Sequence, residues 1–106
     1  MPIADDPNVA QFMRYLTTER NASPHTVSNY LRDLEQFAQQ TWGETAAPPY
    51  TWREPDRYAA RRFLASFQKS GRAPATTSRK MSSLRSFYRF LVREEIVTQN
   101  PFTGLP

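Results

Sequence analysis

Apolar residues recur every three or four positions along most of this chain, and alternation of apolar and polar residues never lasts more than a few positions. That 3.6-residue period predicts an all-α fold. The first amphipathic segment opens at Asp6-Pro7, a capping residue followed by a proline in the first turn, where no N–H is needed. It carries Val9, Phe12, Met13 and Leu16 on one face and ends near Arg20-Asn21. The second opens at Ser23-Pro24, carries Val27, Tyr30, Leu31, Leu34, Phe37, Ala38 and Thr41, and closes at Gly43. The third runs from about Pro55 to Ser70, with Ala60, Phe63, Leu64 and Phe67 inward and Gly71 as its stop. The fourth starts around Pro74 and reaches Arg93 or Glu94, with an inward stripe of Thr77, Met81, Leu84, Phe87, Tyr88 and Leu91.

Between the second and third segments, residues 44–55 form a proline-rich stretch that divides the chain into two helical pairs. It is too short and too aromatic for a disordered linker, and Trp52 is expected to pack onto the core. The openings of the second and fourth helices echo each other, Ser23-Pro24-His25-Thr26 against Ala73-Pro74-Ala75-Thr76-Thr77. Two helical hairpins of similar design account for this; a solenoid needs more copies. The last residues, Asn100 to Pro106, have turn chemistry and no helical period. A chain ending in this way is expected to have been cut at a domain boundary.

Composition narrows the picture. A chain of 106 residues is expected to form one domain, residues 1–106. Seven Phe, five Tyr and two Trp are available for its core. Cysteine is absent and His25 is the lone histidine. No disulfide, cysteine-based zinc site or multi-histidine metal site can form, so no metal or cofactor is expected. No apolar run reaches the length of a signal peptide or a membrane span, so a cytoplasmic location away from the membrane is expected. The net charge of +4 favours a polyanionic partner.

The fourth helix gives that charge a place. Opposite its inward stripe lie Arg79, Ser82, Ser86, Arg89 and Arg93, flanked by Ser83 and Arg85, with no acid before Glu94 and Glu95. Arg and Lys neutralise phosphate, while small hydroxyls donate hydrogen bonds without blocking close approach. The bland alternative is a solvated basic face. Lys80 lies nearer the core edge, where its stem is expected to snorkel outward. The second helix shows His25, Asn29, Arg32, Gln36 and Gln39 or Gln40 outward. Asn, Gln and Arg can pair bidentately with base edges, though they are also ordinary surface residues. Both helix starts offer N–H groups to a phosphate.

Other candidates read blandly. His25 is expected to be exposed rather than catalytic. Tyr30 and Tyr88 fall on core stripes, and Tyr15 and Tyr58 have no His or Arg constellation at hand. Arg61-Arg62 reads as a solvated helix face. No Gly-rich phosphate loop, paired-carboxylate motif or nucleophile elbow occurs, and no small-molecule substrate is implied.

The run Thr77-Ser78-Arg79-Lys80-Met81-Ser82-Ser83-Leu84-Arg85-Ser86-Phe87-Tyr88-Arg89-Phe90-Leu91, followed by Asn100-Pro101, resembles the core-binding domain of Xer-type tyrosine recombinases and phage-type integrases. Phe12 to Leu16, Ser23 to Tyr30 and Leu31 to Phe37 are similar to the opening of the same domain. The resemblance runs from about Val9 to Pro101 and rests on order and spacing. It implies a four-helix, SAM-like bundle that forms one half of a clamp on double-stranded DNA. It also implies a separate catalytic domain, carrying a tyrosine nucleophile, that is absent from this chain, and other recombinase protomers as partners in a synaptic tetramer. By matching positions the DNA-facing set is His25, Thr26, Asn29 and Arg32 with Thr77, Arg79, Lys80, Ser83 and Arg85. The resemblance makes this stretch a non-catalytic DNA grip belonging to a larger tyrosine recombinase, for chromosome dimer resolution or DNA integration. Ala73 stands where the family usually has Ser, a lost cap that should cost ~1 kcal/mol unless Thr76 or Thr77 compensates. A free-standing helical DNA-binding regulator and a SAM-like protein-interaction bundle are the alternatives.

Overall fold

The computed structural model describes residues 2–106. Among them are four α-helices, α1 (Pro7–Thr18), α2 (Pro24–Trp42), α3 (Arg57–Lys69) and α4 (Pro74–Arg93), one short 3-10 helix (Ile3–Asp5) and no strand. The all-α expectation and its four helices hold. The chain divides into two compact units, Met1–Thr51 and Trp52–Pro106, and the division falls inside the proline-rich stretch.

In the first unit α1 packs on α2 and on the 3-10 helix. Asp6 caps α1: its Oδ1 accepts from the backbone N–H groups of Asn8 (2.9 Å) and Val9 (3.1 Å). Its Oδ2 accepts from the Tyr50 N–H at 2.8 Å, across 44 residues, and the residue is fully buried. One carboxylate therefore starts a helix and ties down the far end of its unit. Val9, Phe12 and Leu16 are buried, whereas Met13 is only half-buried. The helix stops at Thr18, short of Arg20-Asn21; Asn21 takes a left-handed conformation (φ 51°) just beyond. Ser23 caps α2 by accepting from Thr26 N–H, and Gly43 (φ 100°) closes it. Leu34, Phe37 and Ala38 are buried; Tyr30, which meets Phe12 edge-on at 5.3 Å, is half-buried with Val27, Leu31 and Thr41. Trp42 stacks on Tyr50 with centroids 4.8 Å apart.

In the second unit α3 packs on α4. Here α3 begins later than its proline suggested: Asp56, not Pro55, is the cap, accepting from Ala59 N–H at 3.0 Å. Ala60, Phe63 and Phe67 are buried as expected, while Leu64 is half-buried. Trp52 is buried, edge-on to Phe87 at 4.8 Å, and its carbonyl accepts from the Tyr88 hydroxyl at 2.9 Å. The whole expected stripe of α4 is buried, together with Lys80, Ser83 and Phe90.

Residues 101–104 are turns, as expected, but the segment 100–106 is built into this unit. Phe102 is fully buried, with its ring 5.8 Å from Tyr88 and 6.4 Å from Phe63. Asn100 donates to the Arg85 carbonyl and accepts from Phe102 N–H. The α4 C-terminus closes with two reverse hydrogen bonds, Ile96 N–H to Leu91 O and Glu95 N–H to Val92 O. They require a left-handed residue, and Glu95 fills the place at φ 61°. At the end of α3 the same bond pattern uses Gly71 (φ 73°), the residue suited to it.

Candidate nucleic-acid interface

The α2 part of the site sits on the first three turns of a helix whose start leaves the His25 N–H uncommitted, since Pro24 has none and Ser23 takes those of Thr26 and Val27. His25, Thr26 and Arg32 are exposed, and Asn29 is half-buried. Arg32 Nη1 donates to Asn29 Oδ1 at 3.3 Å, so these two side chains form a pre-arranged pair. Thr26 Oγ1 accepts from the Ser23 hydroxyl at 3.0 Å and keeps its own proton for an outside acceptor. At spacings of four and three, His25, Asn29 and Arg32 share one face. This face can hydrogen-bond to phosphates and base edges, but it holds one permanent cation.

The α4 part departs further from expectation. Lys80 does not snorkel outward: it is 2% exposed, with Nζ 5.4 Å from the centre of the Phe67 ring. Ser83, expected on the flank of the outer face, is buried at 6%. Thr77 is buried too, and lines a pocket of about 270 Å³ with Leu64, Gln68, Arg72, Pro74, Ser78 and Pro106. Arg85 is half-buried and turned to the C-terminal turns, donating through Nε to Phe102 O at 3.2 Å and through Nη2 to Leu105 O. Arg79 is half-buried. Arg93 pairs with Glu94 at 3.1 Å and lies against the Phe90 ring. Glu94 thus has a basic partner. Ser82 and Arg89 are exposed on the outer face, and Ser86 is half-buried. For Thr77, Lys80 and Ser83 the reason is common: nine positions of a twenty-residue helix are buried, so the core-facing arc is wider than the apolar residues alone indicate.

Tyr88 is no nucleophile. Its hydroxyl is spent on Trp52 O, and burial pushes its phenol well above the usual tyrosine range. No group of three or more His, Asp or Glu among the described residues could hold a metal ion, and no described helix is long and apolar enough to cross a membrane.

The charge is unevenly shared. Residues 52–106 hold eleven Lys or Arg against four Asp or Glu, a net +7; residues 1–51 hold three against six, a net −3. Sequence reading followed the fourth helix and missed that α3 carries four cations and no acid within its span. Scoring each helix for its own charge would have found it.

Residues 9–95 match the family described as phage integrase, N-terminal SAM-like domain. The chain belongs to that family. Its similar proteins within and around the family include the tyrosine recombinase XerC of Halalkalibacterium halodurans, 42% identical over 106 residues, covering 96% of this chain and 33% of the relative. The tyrosine recombinase XerC of Oceanobacillus iheyensis is 43% identical over 96 residues (89% and 30%), and XerD of the same organism 37% over 95 residues (88% and 31%). The chain spans about a third of the length of these curated relatives. No solved structure matches it.

Proposed function

We propose that this chain is a DNA-gripping module of a site-specific tyrosine recombinase, holding a duplex recombination site while strand cleavage is performed by residues outside these 106. The observation that carries the reading is the family membership of residues 9–95, whose similar proteins are tyrosine recombinases. The net +7 of the second unit supports it, because a duplex presents a dense line of phosphates and responds first to charge. The exposed residues available for contact are His25, Thr26 and Arg32 on α2, and Ser82 and Arg89 on α4; Asn29 and Arg32 are of the types that pair with base edges. In the full recombinase, further protomers bound to adjacent sites are the protein partners, and the module works in the compartment that holds the chromosome.

A salt titration of binding to a duplex oligonucleotide tests this. Log affinity should fall linearly with log salt, and Arg89→Ala should reduce the slope by about 1. A chain with no affinity for duplex DNA even at low salt overturns the proposal.

A further inference from the structure

The cations of α4 are largely engaged. Lys80 is buried, Arg85 holds backbone carbonyls, Arg93 is paired with Glu94, and Arg79 is half-buried; Arg89 alone of the five is exposed without an ion pair among the described residues. The outer face of α3 is the reverse. Arg57, Arg61, Arg62 and Lys69 are all exposed, and none forms a salt bridge among the described residues. Tyr58 is 66% exposed, the most exposed large aromatic described, with the Arg61 guanidinium 6.0 Å from its ring centre. Spacings of three and four bring Tyr58, Arg61, Arg62 and Lys69 onto one stripe, separated by exposed Ala65. Arg72 follows, also exposed, just past the helix end. Arg57 and Arg61, four apart, are a like-charge pair that repels and weakens the helix. The arrangement is relieved when a polyanion lies along it.

We propose that this α3 stripe is a further contact surface for the sugar-phosphate backbone of duplex DNA, in addition to the α4 contacts of the same unit. The inference rests on the reading of the chain as a DNA-gripping module. Charge complementarity names the occupant: a row of exposed cations from Arg57 to Lys69, about 18 Å long at helical rise, faces a uniformly charged line. The chemistry also sets the mode. The hydroxyls of Ser66 and Ser70 are committed to Phe63 O and Phe67 O, and the stripe has no Asn or Thr. It has charge and a phenol to offer phosphates and no amide or uncommitted hydroxyl for base edges; its arginines, which can also pair with guanine, are assigned to phosphate. Binding through α3 is independent of sequence.

The test uses the 106-residue chain and two duplexes of equal length and unrelated sequence. Arg61→Ala/Arg62→Ala replaces two exposed residues with a strong helix former, and circular dichroism checks that helicity is kept. The double variant should reduce the salt slope by about 2 on both duplexes alike. Arg61→Lys/Arg62→Lys should restore the slope, since the charges return. If the wild-type chain binds with an unchanged slope in the alanine variant, the α3 surface is overturned while the functional proposal stands. A loss confined to one duplex overturns the sequence-independent mode. A wild-type chain that binds neither duplex overturns both proposals. A single-stranded oligonucleotide of the same length, bound more tightly through α3 than either duplex, overturns the duplex as its occupant.

Discussion

The units Met1–Thr51 and Trp52–Pro106 each pair two proline-opened or Asp-capped helices around an aromatic cluster, yet one carries a net −3 and the other +7. They also secure their ends differently. In the first, Asp6 reaches its far end by a buried carboxylate; in the second, Phe102 returns to the core as an apolar plug. The first opens its longer helix with a working Ser23 cap, and the second with Ala73, which makes no side-chain cap bond. The same hairpin plan thus supports a polar hydrogen-bonding face in one case and a concentration of positive charge in the other. Charge and fold are separable here: cations sit on the outer faces of helices whose stability comes from Phe63, Phe67, Phe87 and their neighbours.

The strongest way to break the comparison is to remove each closure. Phe102→Ala deletes a fully buried ring and should cost about 3–5 kcal/mol in denaturant unfolding. Asp6→Ala removes a cap and leaves the Tyr50 N–H without its buried acceptor, for a loss of about 2–4 kcal/mol. A cost below 1 kcal/mol for either would show that the closure is not what secures its unit.

A pH effect comes next. The Tyr88 phenol is held protonated in the folded chain, while in the unfolded chain it ionises near its ordinary value of 10.0. Above that value the unfolded state binds fewer protons than the native state, so stability falls as pH rises toward the folded pKa. The Tyr50 phenol, raised by burial and then by Glu35 and Asp6, adds to the fall in the same direction. Tyr88→Phe should cost about 1 kcal/mol at pH 7 through the lost bond to Trp52 O, and should flatten the stability profile above pH ~10. An alkaline profile identical to that of the wild type would refute the assignment.

The smallest expected effects sharpen the contrast of helix ends. Ala73→Ser should stabilise by about 1 kcal/mol, and Ser23→Ala should destabilise by about as much. Glu95→Gly should stabilise by about 1 kcal/mol, because glycine carries no penalty at φ 61°. Thermal melts of the three variants check the signs.

Features set by adjacent residues were legible in the sequence. Asp6-Pro7, Ser23-Pro24, Gly43 and Gly71 mark helix ends because caps and left-handed turns act within a few positions, and the family resemblance drew on the same order of signals. At Pro55-Asp56 two local signals competed and the capping side chain won. The packing of Phe102 was not legible, since a turn segment has no period to say which residue points inward. Nor was the site fully so. Lys80 and Ser83 read as outward because polar residues usually are, and their burial is decided by how wide an arc of α4 the tertiary structure covers. Arg61-Arg62 was legible as an exposed helix face, and both residues are exposed.

The bond from Tyr50 N–H to Asp6 has a kinetic consequence. It joins positions 44 residues apart, so its formation requires closing a loop that spans nearly all of its unit. The helices can form and associate before that loop is shut. That bond, unlike the local cap that the same carboxylate makes on α1, then acts late, as a brake on unfolding more than an aid to folding. Weakening it should speed the escape from the native state while leaving the rate of arrival nearly unchanged.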